Sequence, residues 1–343
     1  MRHFEFWPPR LFELPYYLAL LALCARHRLS PMSLAKANYA LDHGELALGS
    51  KYATQMAFDQ SLFPATLLLT DGTSGSGDQA KQFAEEHGFP VIMKPEIGSV
   101  GKGVMRLADS AELDEAVTNL QSPHLLQAYI DLPAEFGVFY VRKKGQGAVT
   151  GINEKHFPEV VGNGTDSVGD LARKHERFSD HWTMFLKDLD TQRIPDSGER
   201  VRLSFVGSHT MGCRFTNDTD LASPELLEVL EKFAESQPGF NFGRLDVRAR
   251  DSAALSRGEF VIIEVNGVAS LPTHMFDPQH GLRDGYEIFL AHAKHLVEVA
   301  VEQRHQPMEL LPLWQLLKKA RRNAQDLDRL QRRLLEPSVA DSR

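Results

Sequence analysis

Cysteine is scarce in this chain: Cys24 and Cys213 are the only two among 343 residues. They lie far apart, so a disulfide framework is excluded and a reducing, cytoplasmic setting is expected. Neither sits in a CxxC pair or near a histidine at ligand spacing, which argues against a structural zinc. An excess of positive charge is also lacking. The formal net charge is −8, which gives no electrostatic ground for nucleic acid as the main partner. Low-complexity tracts, internal repeats and the GxxxxGK[ST] phosphate loop are absent as well.

Long apolar runs are missing too. Leu11 to Leu23 is rich in apolar residues but is interrupted by Glu13 and Pro15, and it falls short of the ~20 residues that a spanning helix needs. Phe4, Phe6 and Trp7, with Pro8 and Pro9, come before the run and Arg26 and Arg28 follow it, a pattern unlike a signal peptide. A buried entry helix is expected. A peripheral membrane foot, led by Phe4, Phe6 and Trp7, is the competing reading.

What is present alternates between helix and strand. Residues 1–50 read as a short N-terminal segment, 51–130 as a small lobe, 131–304 as a larger lobe and 305–343 as a helical tail. In the small lobe the pattern predicts a helix from Lys51 to about Gln60, a strand at Ala65–Thr70 and a loop at Asp71–Asp78. A helix at Gln79–His87 and a buried strand at Pro90–Lys94 follow. Then come a glycine-rich loop at Ile97–Gly103, a short strand at Val104–Leu107, a helix capped by Ser110, and a strand at Leu125–Ile130. Beyond the strand Phe136–Arg142 the chain reads as less regular. A turn at Val161–Gly164, a helix at Ser167–His175 and a strand at Val201–Gly207 are expected there. An amphipathic helix at Ser223–Ser236, strands at Gly243–Ala249 and Phe260–Val265, and helix from Asp284 onward complete the larger lobe. The basic stretch Leu316–Leu335 reads as a solvated helix packed on its own domain.

The chemistry is densest in Gly243-Arg-Leu-Asp-Val-Arg248 and Phe260-Val-Ile-Ile-Glu-Val-Asn-Gly267. Side chains two apart on a strand share a face, so Arg244 pairs with Asp246, and Glu264 with Asn266. If the two strands run antiparallel, Asp246 comes close to Glu264. Two carboxylates and an amide oxygen then converge as hard donors suited to Mg²⁺ on nucleotide phosphates. A surface hairpin with merely solvated acids is the plain alternative. A second signal is Lys94 at the end of an apolar strand, followed by the loop Glu96-Ile-Gly-Ser-Val-Gly-Lys-Gly-Val104. Glycines let backbone N–H groups approach phosphate, and a strand-borne lysine adds fixed charge.

These elements resemble the motifs of ATP-grasp enzymes. Lys51 in Gly49-Ser-Lys51, Lys94 with its loop, Gln127-Ala-Tyr-Ile130 with Glu135, and the Arg244/Asp246/Glu264/Asn266 set occur in the order seen there. The pattern is similar to that of D-alanine–D-alanine ligases, and Val160–Leu171 is similar to a segment of cyanophycin-synthetase-like members. The resemblance covers roughly residues 50–300. It implies an α+β, ATP-grasp fold in which two α+β lobes grip ATP, between a short N-terminal segment and a C-terminal helical tail.

The resemblance also implies roles. Lys51 and Lys94 hold ATP phosphates, and Ser99, Val100 and Gly101 close over them. Gln127, with the backbone of Ala128, Tyr129 and Ile130 at the hinge, reads adenine; Glu135 takes the ribose hydroxyls. Asp246, Glu264 and Asn266 hold one or two Mg²⁺, a role Mn²⁺ can also fill. Arg244 stabilises the acyl phosphate. Lys155 is a candidate for the same task, with a solvated surface lysine as its alternative. His156, His209 and His274 are isolated histidines that could touch substrate.

The implied activity is that of a carboxylate–amine ligase working through an acyl phosphate on small-molecule substrates. The alternatives are a kinase that stops at phosphoryl transfer, or a non-catalytic nucleotide-binding scaffold at a membrane surface. Association as a homodimer is left open. Past Asn266, Val268–Pro278 departs from the loop of D-alanine–D-alanine ligases, and the N-terminal lobe is shorter. Both differences argue against D-alanine as substrate.

Overall fold

A computed structural model describes residues 4–47, 49–70, 75–177, 189–209 and 212–335. The first part of the expected loop, residues 71–74, and the end of the expected tail, residues 336–343, lie outside the described residues.

The small lobe is a four-stranded antiparallel sheet covered by two helices. Its strands are β1 (Thr66–Leu69), β2 (Val91–Pro95), β3 (Met105–Leu107) and β4 (His124–Ala128), in the order β1-β4-β2-β3. Helices α3 (Ser76–His87) and α4 (Ser110–Thr118) lay Ala80, Phe83, Ala84 and Leu113 onto Leu69, Val91, Met93, Leu107 and Leu126. The helix α2 that leads into this lobe (Lys51–Met56) is capped by Ser50, whose side chain accepts from the Ala53 N–H at 2.9 Å. Such a cap contributes about 1 kcal/mol. The cap of α4 is Asp109 rather than the expected Ser110. Its carboxylate accepts from both Ala111 and Glu112 N–H, which a serine hydroxyl one residue later does not reach.

The larger lobe is a five-stranded antiparallel sheet with the order β11-β10-β5-β6-β9. Its members are β5 (Ala134–Lys143), β6 (Gln146–His156), β9 (Arg214–Asn217), β10 (Phe242–Ala249) and β11 (Val261–Asn266). One face carries Phe136, Val138, Tyr140, Leu245 and Val247 against α6 (Pro224–Glu235) and α7 (Ser252–Ser256). The opposite face carries charge at one end and apolar packing at the other, where Val141 and Phe242 meet α1 (Pro9–Arg26) and α8 (Leu282–Glu302).

Four further sequence expectations need correction. The region past Arg142 is not irregular: β6 runs for 11 residues in the middle of the sheet, paired to β5 and β9. Polar Asn153 and Lys155 masked it, because one of its faces looks toward the site. The strand expected at Val201–Gly207 ends early, since β8 (Arg200–Arg202) pairs only with the short β7 (Glu159–Val161). Residues 1–50 are also more than an entry segment. Helix α1 buries Phe12, Tyr16, Leu20 and Cys24 on α8, while its outer face exposes Leu11 (61%), Leu14, Tyr17, Leu18 and Leu21. Among the described residues no helix is long and apolar enough to cross a membrane. The basic helix, α9 (Leu313–Leu335), lies across the glycine loop of the small lobe rather than on the lobe that precedes it. Buried Leu327 faces Gly98, Leu330 faces Gly103, and Lys102 pairs with Asp328 at 2.6 Å.

Candidate functional site

All fifteen residues singled out for catalysis, nucleotide or metal line a single cavity of about 440 Å³. Its floor is the β10–β11 pair, with Arg244 opposite Asn266 and Asp246 opposite Glu264, followed by a bulge after Asp246. The antiparallel pairing assumed from sequence is thus the one formed, and the surface-hairpin alternative is excluded because Asp246 is buried. Room for the long side chains comes from Gly137 on β5. A Cβ there would collide with the Asn153 amide and press on Arg244 at 3.1 Å.

The charges on this floor are paired. Arg244 donates Nε to Asp246 Oδ1 at 2.8 Å and Nη2 to Oδ2 at 3.2 Å. Lys155 Nζ lies 3.2 Å from Asp246 Oδ1 and donates to Glu135 Oε1 at 2.9 Å. Arg248 holds the other Glu135 oxygen from Nε at 3.2 Å and Nη2 at 2.9 Å. Burial pushes the Asp246 carboxyl up, but Arg244 and Lys155 more than offset this and leave it below the usual range. Burial likewise pulls Lys155 down, and Asp246 with Glu135 more than reverse it. Only 6% exposed, Lys155 is not the solvated lysine of the alternative reading. Glu135, expected at the ribose, has both oxygens committed to Lys155 and Arg248.

Across the cavity, Lys94 donates to Gln127 Oε1 at 3.1 Å and to the Ile263 carbonyl at 3.0 Å, tying β2 to β11. Burial, with Lys51 adding to it and Glu264 opposing, lowers its pKa to about 8. Lys51 donates to the Gly98 carbonyl and lies 3.3 Å from Glu264 Oε1, so it links the glycine loop to the acidic floor. In that loop Val100 has φ 50° and Gly101 φ 76°. A β-branched residue in the left-handed region is strained, and such strain gathers at functional sites. Gly101 is required for a second reason: a Cβ would collide with Val206. Ser99 sits beside Val100 on the cavity wall. At the hinge, the Ala128 N–H is bound to the Ala65 carbonyl at 3.0 Å, Tyr129 lies beneath Arg106, and the Ile130 carbonyl faces Arg248.

The donor set fits a hard divalent cation. Asp246, Glu264 and Asn266 are oxygen-bearing side chains on neighbouring strands at one cavity wall. Among the described residues, no group of three His, Cys, Asp or Glu side chains that could hold a metal ion is found, so a three-donor set at this wall would include the amide of Asn266.

Sequence reasoning missed Arg248 and Glu45. For Arg248 the signal was present, because strand alternation places it with Arg244 and Asp246. Glu45 had none. It sits in a turn where His43, Gly44 and Glu45 all have positive φ, and it accepts from the Gly267 N–H at 2.6 Å and from Thr54 at 2.5 Å. Gly267, Ala269, Ser270, Leu271 and Thr273 close that end of the cavity. Of the three histidines, His209 lines the cavity and pairs with Glu5 at 3.1 Å. His156 bonds Thr216 outside it. His274 is buried against Phe139 and Gly151, and burial lowers its pKa to about 3, so it is neutral and away from the cavity wall.

Residues 56–128 match the family model described as carbamoyl-phosphate synthase L chain, ATP binding domain. That segment holds most of the small lobe, with Lys94, the glycine loop and Gln127. A sequence search of curated proteins returns no match. Among solved structures the chain is similar to D-alanine–D-alanine ligase from Bacillus anthracis, at 14% identity and TM-score 0.43, over 75% of this chain and 69% of that one. It is also similar to a bifunctional glutathione synthetase from Pasteurella multocida, at 14% and 0.39, over 75% and 38%. A carboxyaminoimidazole ribonucleotide synthase from Aspergillus clavatus complexed with ATP matches at 11% and 0.37, over 63% and 44%. The chain therefore spans less than half the length of the last two. Two α+β lobes face one cavity, with a helical C-terminal region, and the match to the ATP binding domain model lies in the smaller lobe.

Proposed function

We propose that the chain is an ATP-dependent carboxylate–amine ligase. The observation that carries this reading is the convergence of Arg244, Asp246, Lys155, Glu264 and Asn266 on the cavity that also holds Lys51, Lys94 and the glycine loop. In this reading a substrate carboxylate oxygen attacks the γ-phosphorus of ATP. The bond to the β–γ bridging oxygen breaks and ADP leaves. An amine then attacks the acyl carbon, a C–N bond forms, phosphate departs with the electron pair of the C–O bond, and the nitrogen loses a proton.

The chain's own residues position charge and exclude water. Lys51 and Lys94 place cations at the phosphates, and the loop at Ser99–Gly101 covers them. Gln127 and the hinge at Ala128–Ile130 take adenine. Asp246, Glu264 and Asn266 would hold one or two Mg²⁺ (or Mn²⁺), which would neutralise phosphate charge. Arg244, locked to Asp246, faces the charge that develops on the acyl phosphate. Glu135 acts through Lys155 and Arg248, keeping two cations fixed in a buried site. Small-molecule acids and amines are the substrates in this reading, and the small lobe, larger lobe and helical tail are its working units.

The experiment is an ADP-release screen that pairs amino acids, dipeptides and hydroxy acids with amines. ADP and phosphate released together, in an amount that requires both partners, are expected. Nucleotide binding without turnover across the panel would instead favour a scaffold, and ADP without free phosphate a kinase. The exposed leucine face of α1 supports a peripheral membrane contact for either. Cosedimentation with anionic liposomes, lost in the double variant Leu14→Glu, Leu18→Glu, is the outcome expected.

A further inference from the structure

A second cavity, of about 580 Å³, lies on the other side of Lys155, which among the described residues is the one that lines both cavities. Its walls come from the end of β6, the β7–β8 ribbon, the start of β9 and the segment after α5 (Val168–Lys174). Lys155, Arg177, Arg200, Arg202 and Arg214 contribute five cationic side chains to these walls, against the carboxylates of Glu154 and Glu159. In a chain of net charge −8 such a concentration is a local feature and not a bulk one.

Three of the five cations are already paired. Lys155 is held by Glu135 and Asp246, Arg177 is bound to Glu5, and Arg200 lies 3.3 Å from Glu159. Arg202 and Arg214 have no carboxylate within ion-pair distance among the described residues. Arg202 is the more telling of the two. Its guanidinium carbon sits 3.3 Å from the centroid of the Phe157 ring, and its Nε donates to the Ser204 carbonyl at 2.9 Å. Its Nη2 is buried and has no acceptor among the described residues. A buried guanidinium donor left without an acceptor costs free energy, and native structures keep few of them. The stacking fixes the plane of the fork.

We infer that this cavity is a binding site for an oxyanion-bearing small molecule, a carboxylate or a phosphate, gripped by Arg202 with Arg214 at the rim. The planar fork of arginine matches both groups, through two parallel N–H···O bonds. The volume exceeds that of a bare anion and leaves room for an organic body as well. The positive field agrees with this. Burial and then Arg214 push His156 below its ordinary pKa, burial and then Arg177 do the same to His175, and burial and then Arg248 lower Arg202. An anion in the cavity would relieve all three. The site does not depend on the ligase reading, because none of the residues that hold the anion belongs to the nucleotide set.

The test is isothermal titration of the full chain, free of nucleotide, with inorganic phosphate in one arm and glutarate in the other. Saturable binding of at least one anion is expected, and the arm that saturates at lower concentration identifies the headgroup. Arg202→Gln should weaken it about tenfold and Arg214→Gln about threefold, as loss of one charge-assisted contact does. Lys94→Ala, in the nucleotide cavity, should leave it within about twofold. If Arg202→Gln does not fold, Arg202→Lys keeps the charge while removing the fork, and the exposed Arg214 variant stands on its own. Failure of both anions to saturate would overturn the proposal. So would binding that survives both arginine variants and disappears in Lys94→Ala, which would place the anion in the nucleotide cavity instead.

Discussion

The two cavities share a wall at Lys155 but differ in how their charge is balanced. In the nucleotide cavity nearly every cation has an anion: Arg244 with Asp246, Lys155 with Asp246 and Glu135, Arg248 with Glu135, Lys51 with Glu264. In the second cavity Arg202 and Arg214 have none among the described residues. A buried network that is fully paired can stand without ligand and is rigid, whereas an unpaired buried donor marks a place where a partner is missing. The first cavity is thus organised without a ligand, and under the inference above the second is completed by one.

The strongest way to break the contrast is to remove a charge from the paired network at the reacting end. Arg244→Met should lower turnover by about 10²–10³, the usual loss for a group that stabilises developing charge, with nucleotide affinity little changed. Single-turnover ADP release separates the two effects. Next, Lys155→Met leaves Glu135 and Asp246 buried with one cation fewer. Denaturant unfolding should show a loss of about 3–5 kcal/mol, the range for a buried pair that loses one partner.

A pH series sharpens the comparison further. Lys94 has a pKa lowered to about 8 by burial, so it is charged below that pH and neutral above it. Nucleotide affinity should fall as pH rises through about 8, and Lys94→Arg should flatten the dependence. The sign for folding is opposite. The ordinary pKa of 10.5 lies above the folded one, so the nucleotide-free protein gains stability as pH climbs from about 8 towards 10.5. The smallest effect belongs to the second cavity. Arg214→Gln breaks no ion pair, so unfolding free energy should move by no more than about 0.5 kcal/mol. A larger loss there would mean that its charge is compensated after all.

Part of this was legible along the chain. Arg244, Asp246, Glu264 and Asn266 could be grouped because strand alternation is local: residues two apart share a face whatever surrounds them. The glycine loop was readable for the same reason, since backbone freedom is a property of a few consecutive residues. Strand β6 was not, because the rule that buried strands are apolar fails where a strand lines a charged cavity. Asn153 and Lys155 are as buried as any core residue yet polar in sequence. Glu45 was invisible, since its left-handed turn is held by Ala35 and Gly267 from other parts of the chain.

What the amino-acid order determined by itself is the local periodicity, and with it which side chains share a face and where loops must bend. Tertiary structure alone decided the pairing of charges. Whether Lys155 is solvated or locked between two carboxylates, and whether Glu135 is free to meet a ribose, depend on residues 20 to 113 positions away. Coulomb energy and desolvation act through space, and at burial this deep they outweigh anything a neighbouring residue in sequence can contribute.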